Sequence, residues 1–172
     1  MAFHVSTVFS SPTTLAVGKS LTVASIGVFA GIAVSFNTII MPSLRKVSNQ
    51  TALPIWANSY NTAKDLQVGL ILTSLVAGSS VYYKTENPYF LAGSLIMTSI
   101  VPYTFGLLMP INRTLIGILE GTRTGKHSDD GNLDELFVKW DLLHFGRTIM
   151  SMVALGLTLY GTFSVKTFVV RK

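Results

Sequence analysis

SLTVASIGVFAGIAVSFNTIIM, residues 20–41, runs for 22 residues without a charged side chain. A helix of that length spans about 33 Å, enough to cross a hydrocarbon core about 30 Å thick. Three further runs of the same kind follow, at about 66–83, 89–109 and 148–165. A soluble helix this long would keep a polar face for water, and none of the four does. Composition agrees: 49% of residues are hydrophobic and only 12% charged, against roughly 25% charged in soluble domains. The sequence therefore predicts an all-α polytopic membrane protein, a single domain over residues 1–172 with four transmembrane helices in a tight bundle.

The first run is too long and too late to be the core of a secretory signal, and Met41-Pro42-Ser43-Leu44-Arg45 follows it in place of a small-residue cleavage site. Upstream of Asp65 there is no acidic residue, while Lys19, Arg45, Lys46 and Lys64 are present. An acid-poor, basic first third suits import into mitochondria by internal signals.

The net charge of +5 forms no stripe or block, so nucleic acid is not an expected partner. Four spans put both termini and the turn Lys84–Pro88 on one side, and the loops 42–65 and 110–147 on the other. Of the 13 Lys and Arg residues, five (Lys19, Lys84, Lys166, Arg171, Lys172) fall on the terminal side. Eight (Arg45, Lys46, Lys64, Arg113, Arg123, Lys126, Lys139, Arg147) fall on the loop side, which the positive-inside rule then orients inward. Tyr82, Tyr83, Tyr89 and Tyr160 read as interfacial anchors on the first side, Trp56, Tyr60 and Trp140 on the second.

Cysteine is absent, which removes disulfides, thiolate ligands, iron–sulfur clusters and cysteine nucleophiles together. His4, His127 and His144 are the only imidazoles, and no two share a helical ligand spacing. No metal site and no cofactor is expected. EGTRTGKHS, residues 120–128, approaches a phosphate loop but is one residue short between its glycines and lacks the Ser or Thr after Lys126; no nucleotide is expected, and Gly121–Gly131 reads as a turn-rich loop. Asn49-Gln50-Thr51 and Asn112-Arg113-Thr114 match the glycosylation pattern, relevant only if the loop side is lumenal.

Small residues recur every three or four positions within each span. Lipid is as apolar as leucine, so membrane helices associate by close backbone approach and interhelical hydrogen bonds. Gly27 and Gly31, Gly69, and Gly161 are the expected packing points. No span carries an ionisable side chain other than Tyr, which argues against a proton or ion relay.

Outside the spans, Thr51 and Pro54 read as a helix start leading into the second span, and Ile111, Leu115, Ile118 and Leu119 carry the third helix past Met109-Pro110. Asn132 caps a fourth helix with Glu135 in the capping-box position. Helices 3 and 4 thus extend beyond the bilayer on the loop side. The fourth opens with LFVKWDLLHFGR, residues 136–147, where Leu136, Trp140, His144 and Arg147 share one face. That face either covers the third helix, with Arg147 snorkelling or pairing with Glu120 or Asp141, or forms a site.

Met109-Pro110-Ile111-Asn112 and Trp140-x3-His144-x2-Arg147 resemble the small four-helix membrane family that includes the fungal anthrone oxygenases. The resemblance implies an oxygenase of aromatic polyketides, with Asn112, Trp140, His144 and Arg147 as candidate catalytic residues: His144 to take a phenolic or benzylic proton, Arg147 or Asn112 to stabilise the anion. Size, span number and the basic start are also similar to NUXM, an accessory subunit of fungal respiratory complex I. That resemblance implies a non-catalytic protein of the mitochondrial inner membrane whose partners are other membrane subunits and lipids. A dry bundle without a buried acid–base pair suits a scaffold better than a catalyst. The sequence by itself therefore favours the accessory subunit, with the anthrone-oxygenase-like enzyme as the alternative.

Overall fold

A computed structural model describes residues 12–125 and 132–164; His4, Lys126, His127, Val165, Lys166, Arg171 and Lys172 lie outside them. The described residues are almost wholly helical and contain no strand. Four helices are long and apolar enough to cross a membrane: α1 (Pro12–Leu44), α2 (Asn49–Thr85), α3 (Pro88–Arg123) and α4 (Leu133–Phe163). This is the four-span all-α bundle that the apolar runs predict.

Helix ends follow local chemistry. The Ser48 carbonyl accepts the backbone N–H groups of Thr51 and Ala52 at 2.9 and 2.8 Å, so α2 starts ahead of Thr51 and takes in Pro54 near its beginning, where a missing N–H costs least. Between α2 and α3, Asn87 Oδ1 accepts the Tyr89 N–H at 3.2 Å, capping α3 at Pro88. The third helix does not stop at Gly121. It runs on to Arg123, and Gly125 at φ +70° ends it in the left-handed conformation that a glycine adopts without a steric penalty. Asp134 and Glu135 occupy the first turn of α4, beside the positive end of its dipole.

Two π-turns interrupt the α-helical ladder, Phe36–Ile40 in α1 and Thr104–Leu108 in α3. Each is followed by Met-Pro, at Met41-Pro42 and Met109-Pro110. Proline cannot donate to the carbonyl four residues back and its ring collides with it; a widened turn just ahead of the ring removes that collision. Phe36 and Met41, five positions apart, are both buried as a result.

The chain forms two compact units, each taking a piece of every helix: Met1–Ala30, Val68–Ser99 and Met150–Lys172 make one, Gly31–Gln67 and Ile100–Ile149 the other. In the first unit Ile26, Phe29, Phe90 and Met97 are buried, and two hydrogen bonds tie helices together: Ser94 Oγ to the Ser74 carbonyl at 2.8 Å and Asn87 Nδ2 to the Gly161 carbonyl at 2.9 Å. Its close approaches lie at Gly78, where an added Cβ would collide with Ser94 Oγ, and at Gly93, where it would meet Thr158 Cγ2 at 2.6 Å and the Ala154 carbonyl oxygen at 3.1 Å. Gly161 lies against Tyr89 Cβ, 2.7 Å from such an atom, whereas Gly27 has only an ordinary contact with Leu155 at 3.8 Å. Gly31 and Gly69 have nothing within 4 Å, which corrects their expected packing role. Small residues recur on more than one face of these helices, so spacing alone does not select the face that packs.

The second unit is richer in aromatic groups. Phe36, Met41, Trp56, Leu115, Phe137 and Trp140 belong to its core. Trp56 and Trp140 are 0% and 1% exposed, so they are core side chains and not the interfacial anchors that their position in the sequence suggests.

Candidate functional site

Leu133, Phe137, Trp140, His144, Arg147 and Ser151 follow one another on α4 at steps of three and four and are all buried. This single face holds every polar candidate of the LFVKWDLLHFGR stretch except Asp141. Trp140 stacks on His144, centroids 4.6 Å apart and planes 17° from parallel, and meets Trp56 edge-on at 5.7 Å. Phe36 closes on both, 5.6 Å from Trp140 and 5.2 Å from His144. The Trp140 indole Nε1 donates to Asn112 Oδ1 at 2.7 Å. Asn112 is 2% exposed; its amide fixes the indole plane, and its burial removes it as a glycosylation acceptor.

The imidazole is held from a second direction by Asn37, which lies in the first π-turn. Asn37 Nδ2 donates to Asp141 Oδ1 at 2.6 Å and to the Asp141 carbonyl at 3.0 Å. Its Oδ1 accepts the Thr148 hydroxyl at 2.6 Å and faces His144 Nδ1 at 3.3 Å. A carboxylate only accepts, so the amide NH₂ must face Asp141 and the amide oxygen must face the ring. The proton therefore sits on His144 Nδ1, and the neutral ring keeps its lone pair on Nε2. Arg45 Nη2 pairs with Asp141 Oδ2 at 2.6 Å, anchoring the far end of the chain Arg45–Asp141–Asn37–His144. The expected pairing of Asp141 with Arg147 gives way to this partner.

Arg147 points elsewhere. Its Nη2 donates to Gln67 Oε1 at 2.7 Å, and at 7% exposure the side chain is buried, not snorkelling. The neighbouring Gly146 leaves room for Tyr103, whose hydroxyl donates to the Leu143 carbonyl at 2.9 Å and would collide with a Cβ at residue 146. Gln67 Nε2 and Trp56 Nε1 are buried donors without a partner among the described residues. Each such orphan costs about 1–3 kcal/mol.

Among the described residues no three His, Asp or Glu side chains come together as a metal-binding group. A cleft of about 240 Å³ in the same unit, lined by Asn49, Leu53, Leu119, Arg123 and Leu133 among others, does not include the Trp140–Arg147 face. The four residues singled out by sequence are thus brought into one buried region: Asn112, Trp140 and His144 in direct sequence of contact, Arg147 one turn further along α4. Sequence reasoning missed Asn37 and Gln67. For Asn37 the available signal was an amide inside a long apolar run, where a polar side chain is retained only with partners; Gln67, two residues after Asp65, carried no such signal.

A family model described as anthrone oxygenase matches residues 56–157, more than half of the chain and all of the region holding Asn112, Trp140, His144 and Arg147. The chain belongs to the anthrone oxygenase family. Among similar proteins, anthrone oxygenase AgnL2 of Paecilomyces divaricatus is 37% identical over 67 residues, 38% of this chain and 40% of its own length. Anthrone oxygenase ptaC of Pestalotiopsis fici is 29% identical over 75 residues, 41% of this chain and 53% of its own. Anthrone oxygenase dmxR16 of Cryptosporiopsis sp. is 29% identical over 113 residues, 60% and 61% respectively. The chain therefore spans about half the length of the curated relatives it matches. No solved structure matches. The anthrone oxygenase match overturns the reading as a non-catalytic accessory subunit of respiratory complex I. That reading rested on size, span number and charge, which any small four-span protein can share. The motif-level resemblance, weighed second on sequence alone, is the one that holds.

Proposed function

We propose that this membrane protein oxidises an anthrone-type substrate, a tricyclic aromatic ketone with a benzylic CH₂ across the central ring from its carbonyl, to the corresponding quinone. The observation that carries this is the buried His144, stacked on Trp140 with Nδ1–H directed to Asn37 so that Nε2 is available as a base. Nε2 takes one benzylic proton, and the electron pair left behind spreads onto the ketone oxygen as an enolate. The enolate carbon gives an electron to dioxygen and recombines with it, forming a C–O bond, and the peroxide oxygen regains the proton from His144. His144 then removes the second C–H proton. The O–O bond breaks, hydroxide leaves and is protonated, and the carbon becomes a carbonyl. One substrate and one dioxygen give one quinone and one water.

The chain Arg45–Asp141–Asn37 acts as a positioning device, holding the ring and its tautomer, while Asn112 holds the indole on which the ring stacks. An apolar polycyclic substrate partitions into lipid, and we place the enzyme in an endomembrane, the endoplasmic reticulum being the first membrane to examine by fractionation. The test is His144→Gln in membranes supplied with 1,8-dihydroxyanthrone, following dioxygen uptake and quinone absorbance. A general base typically supplies about 10²–10⁴-fold, so the variant should lose that much at unchanged protein level; a wild-type rate in the variant would refute the assignment.

A further inference from the structure

We propose that Gln67, together with Arg147, is the seat of the substrate's oxyanion, the ketone oxygen that becomes an enolate when His144 takes the proton. This rests on the anthrone-oxidising reading above and adds a residue which neither the motifs nor the family match single out.

The amide is oriented by its neighbour. A guanidinium has no acceptor, so the oxygen of Gln67 must face Arg147, as it does at 2.7 Å. Both hydrogens of Nε2 are then turned away from Arg147, and no described residue accepts them. Gln67 is 5% exposed although it stands at the start of the second apolar run, two residues after Asp65, so packing and not its place in the sequence screens it from water. Buried amide donors in folded proteins nearly always find an acceptor. At Gln67 the unfilled donor lies beside a cation, and that pairing is what suits it to an oxygen brought by a substrate.

The charge arrangement narrows what that oxygen is. A glutamate at position 67 would hold Arg147 equally well and cancel its charge. Glutamine orients the guanidinium without neutralising it, so an N–H donor and a cation are fixed side by side in a low-dielectric region. Such a pair stabilises charge that develops in the reaction more than it binds a neutral ketone. Arg147 is three residues beyond His144, so the base and the cation leave the same face of α4.

The test uses full-length protein in detergent with 1,8-dihydroxyanthrone under argon, so that deprotonation is seen without oxidation. The enolate is coloured and its fraction is read against pH. Wild type should raise the enolate-to-ketone ratio at fixed pH by about tenfold or more over detergent alone, as a nearby cation does for an acid. Gln67→Glu, which keeps the bond to Arg147 but loses the donor and adds a negative charge, should abolish that gain. In air it should cut kcat about 10²–10³-fold with little change in KM, the loss expected for an oxyanion donor. Gln67→Leu should behave alike if it accumulates. Equal enolate fractions in wild type and Gln67→Glu would overturn the Gln67 proposal and leave the enzymatic reading intact. Should neither variant accumulate, wild type decides alone: bound anthrone that ionises no more readily than in detergent overturns the proposal. Wild type that neither binds nor oxidises the anthrone would remove the enzymatic reading itself, and the proposal with it.

Discussion

Replacing Asn37 by leucine isolates the positioning role of the first π-turn. The substitution keeps the approximate size of the side chain and removes four polar contacts: two from Nδ2 to Asp141 and two at Oδ1, from Thr148 and His144. The loss is not four full hydrogen bonds. Asp141 keeps Arg45, with 16% of its side chain open to solvent, and the Thr148 hydroxyl can turn to the His144 carbonyl, 3.5 Å away. The group left stranded is the His144 Nδ1–H, and one buried orphan costs about 1–3 kcal/mol. In a chain of this size that lowers the melting temperature by roughly 2–4 °C per kcal/mol. Activity should fall further than stability, because an imidazole without its Nδ1 acceptor samples both tautomers and orientations; we expect a loss approaching the whole contribution of a general base, about 10²–10⁴-fold. Asn37→Asp should be worse for folding, since a carboxylate at residue 37 faces the Asp141 carboxylate. Fluorescence-detected thermal melts in detergent and dioxygen uptake with 1,8-dihydroxyanthrone read the two effects separately. Full activity in a well-folded Asn37→Leu protein would refute the role assigned to the amide.

Trp140→Ala removes a fully buried indole from the middle of the second unit and should cost about 3–5 kcal/mol, seen as the largest loss of accumulation among the α4 variants on immunoblots of membranes. Trp140→Phe keeps most of the ring contact but strands Asn112 Oδ1, and should cost about 1–3 kcal/mol in a thermal melt. Gly93→Ala should destabilise the protein because the Ala154 backbone cannot retreat, whereas Gly31→Ala, facing open space, should be neutral or stabilising by up to about 1 kcal/mol from helix propensity; the first melt should fall and the second should not. Gly146→Ala displaces Tyr103 and should lower activity before it lowers protein level, measured as dioxygen uptake per amount of folded protein.

The transmembrane class was legible because long runs without a charge or a polar face are seldom stable anywhere but in lipid. The spacing of Trp140, His144 and Arg147 was equally legible, since a helix brings residues three and four apart onto one face whatever surrounds it. Their partners were not. Asn37 and Gln67 come from α1 and α2, and no local pattern states which amide a distant imidazole or guanidinium will meet. Gly31 shows a related blindness: a GxxxG pair marks where helices can approach, while the facing side chains decide whether they do. The respiratory reading failed for a different reason. Hydropathy and charge describe the solvent a chain lives in and are silent on the reaction it carries out.

The paired π-turns bear on how this chain can change length. A helix that crosses a bilayer ordinarily resists insertions and deletions, because one residue more or less swings everything beyond it by about 100°. Phe36–Ile40 and Thr104–Leu108 already hold that extra residue as slack in the winding. Deleting one residue from the first would restore a regular helix with both ends in place, at the expense of the Met41-Pro42 accommodation and of the direction in which Asn37 points. The helix would survive as a span and lose its grip on the imidazole.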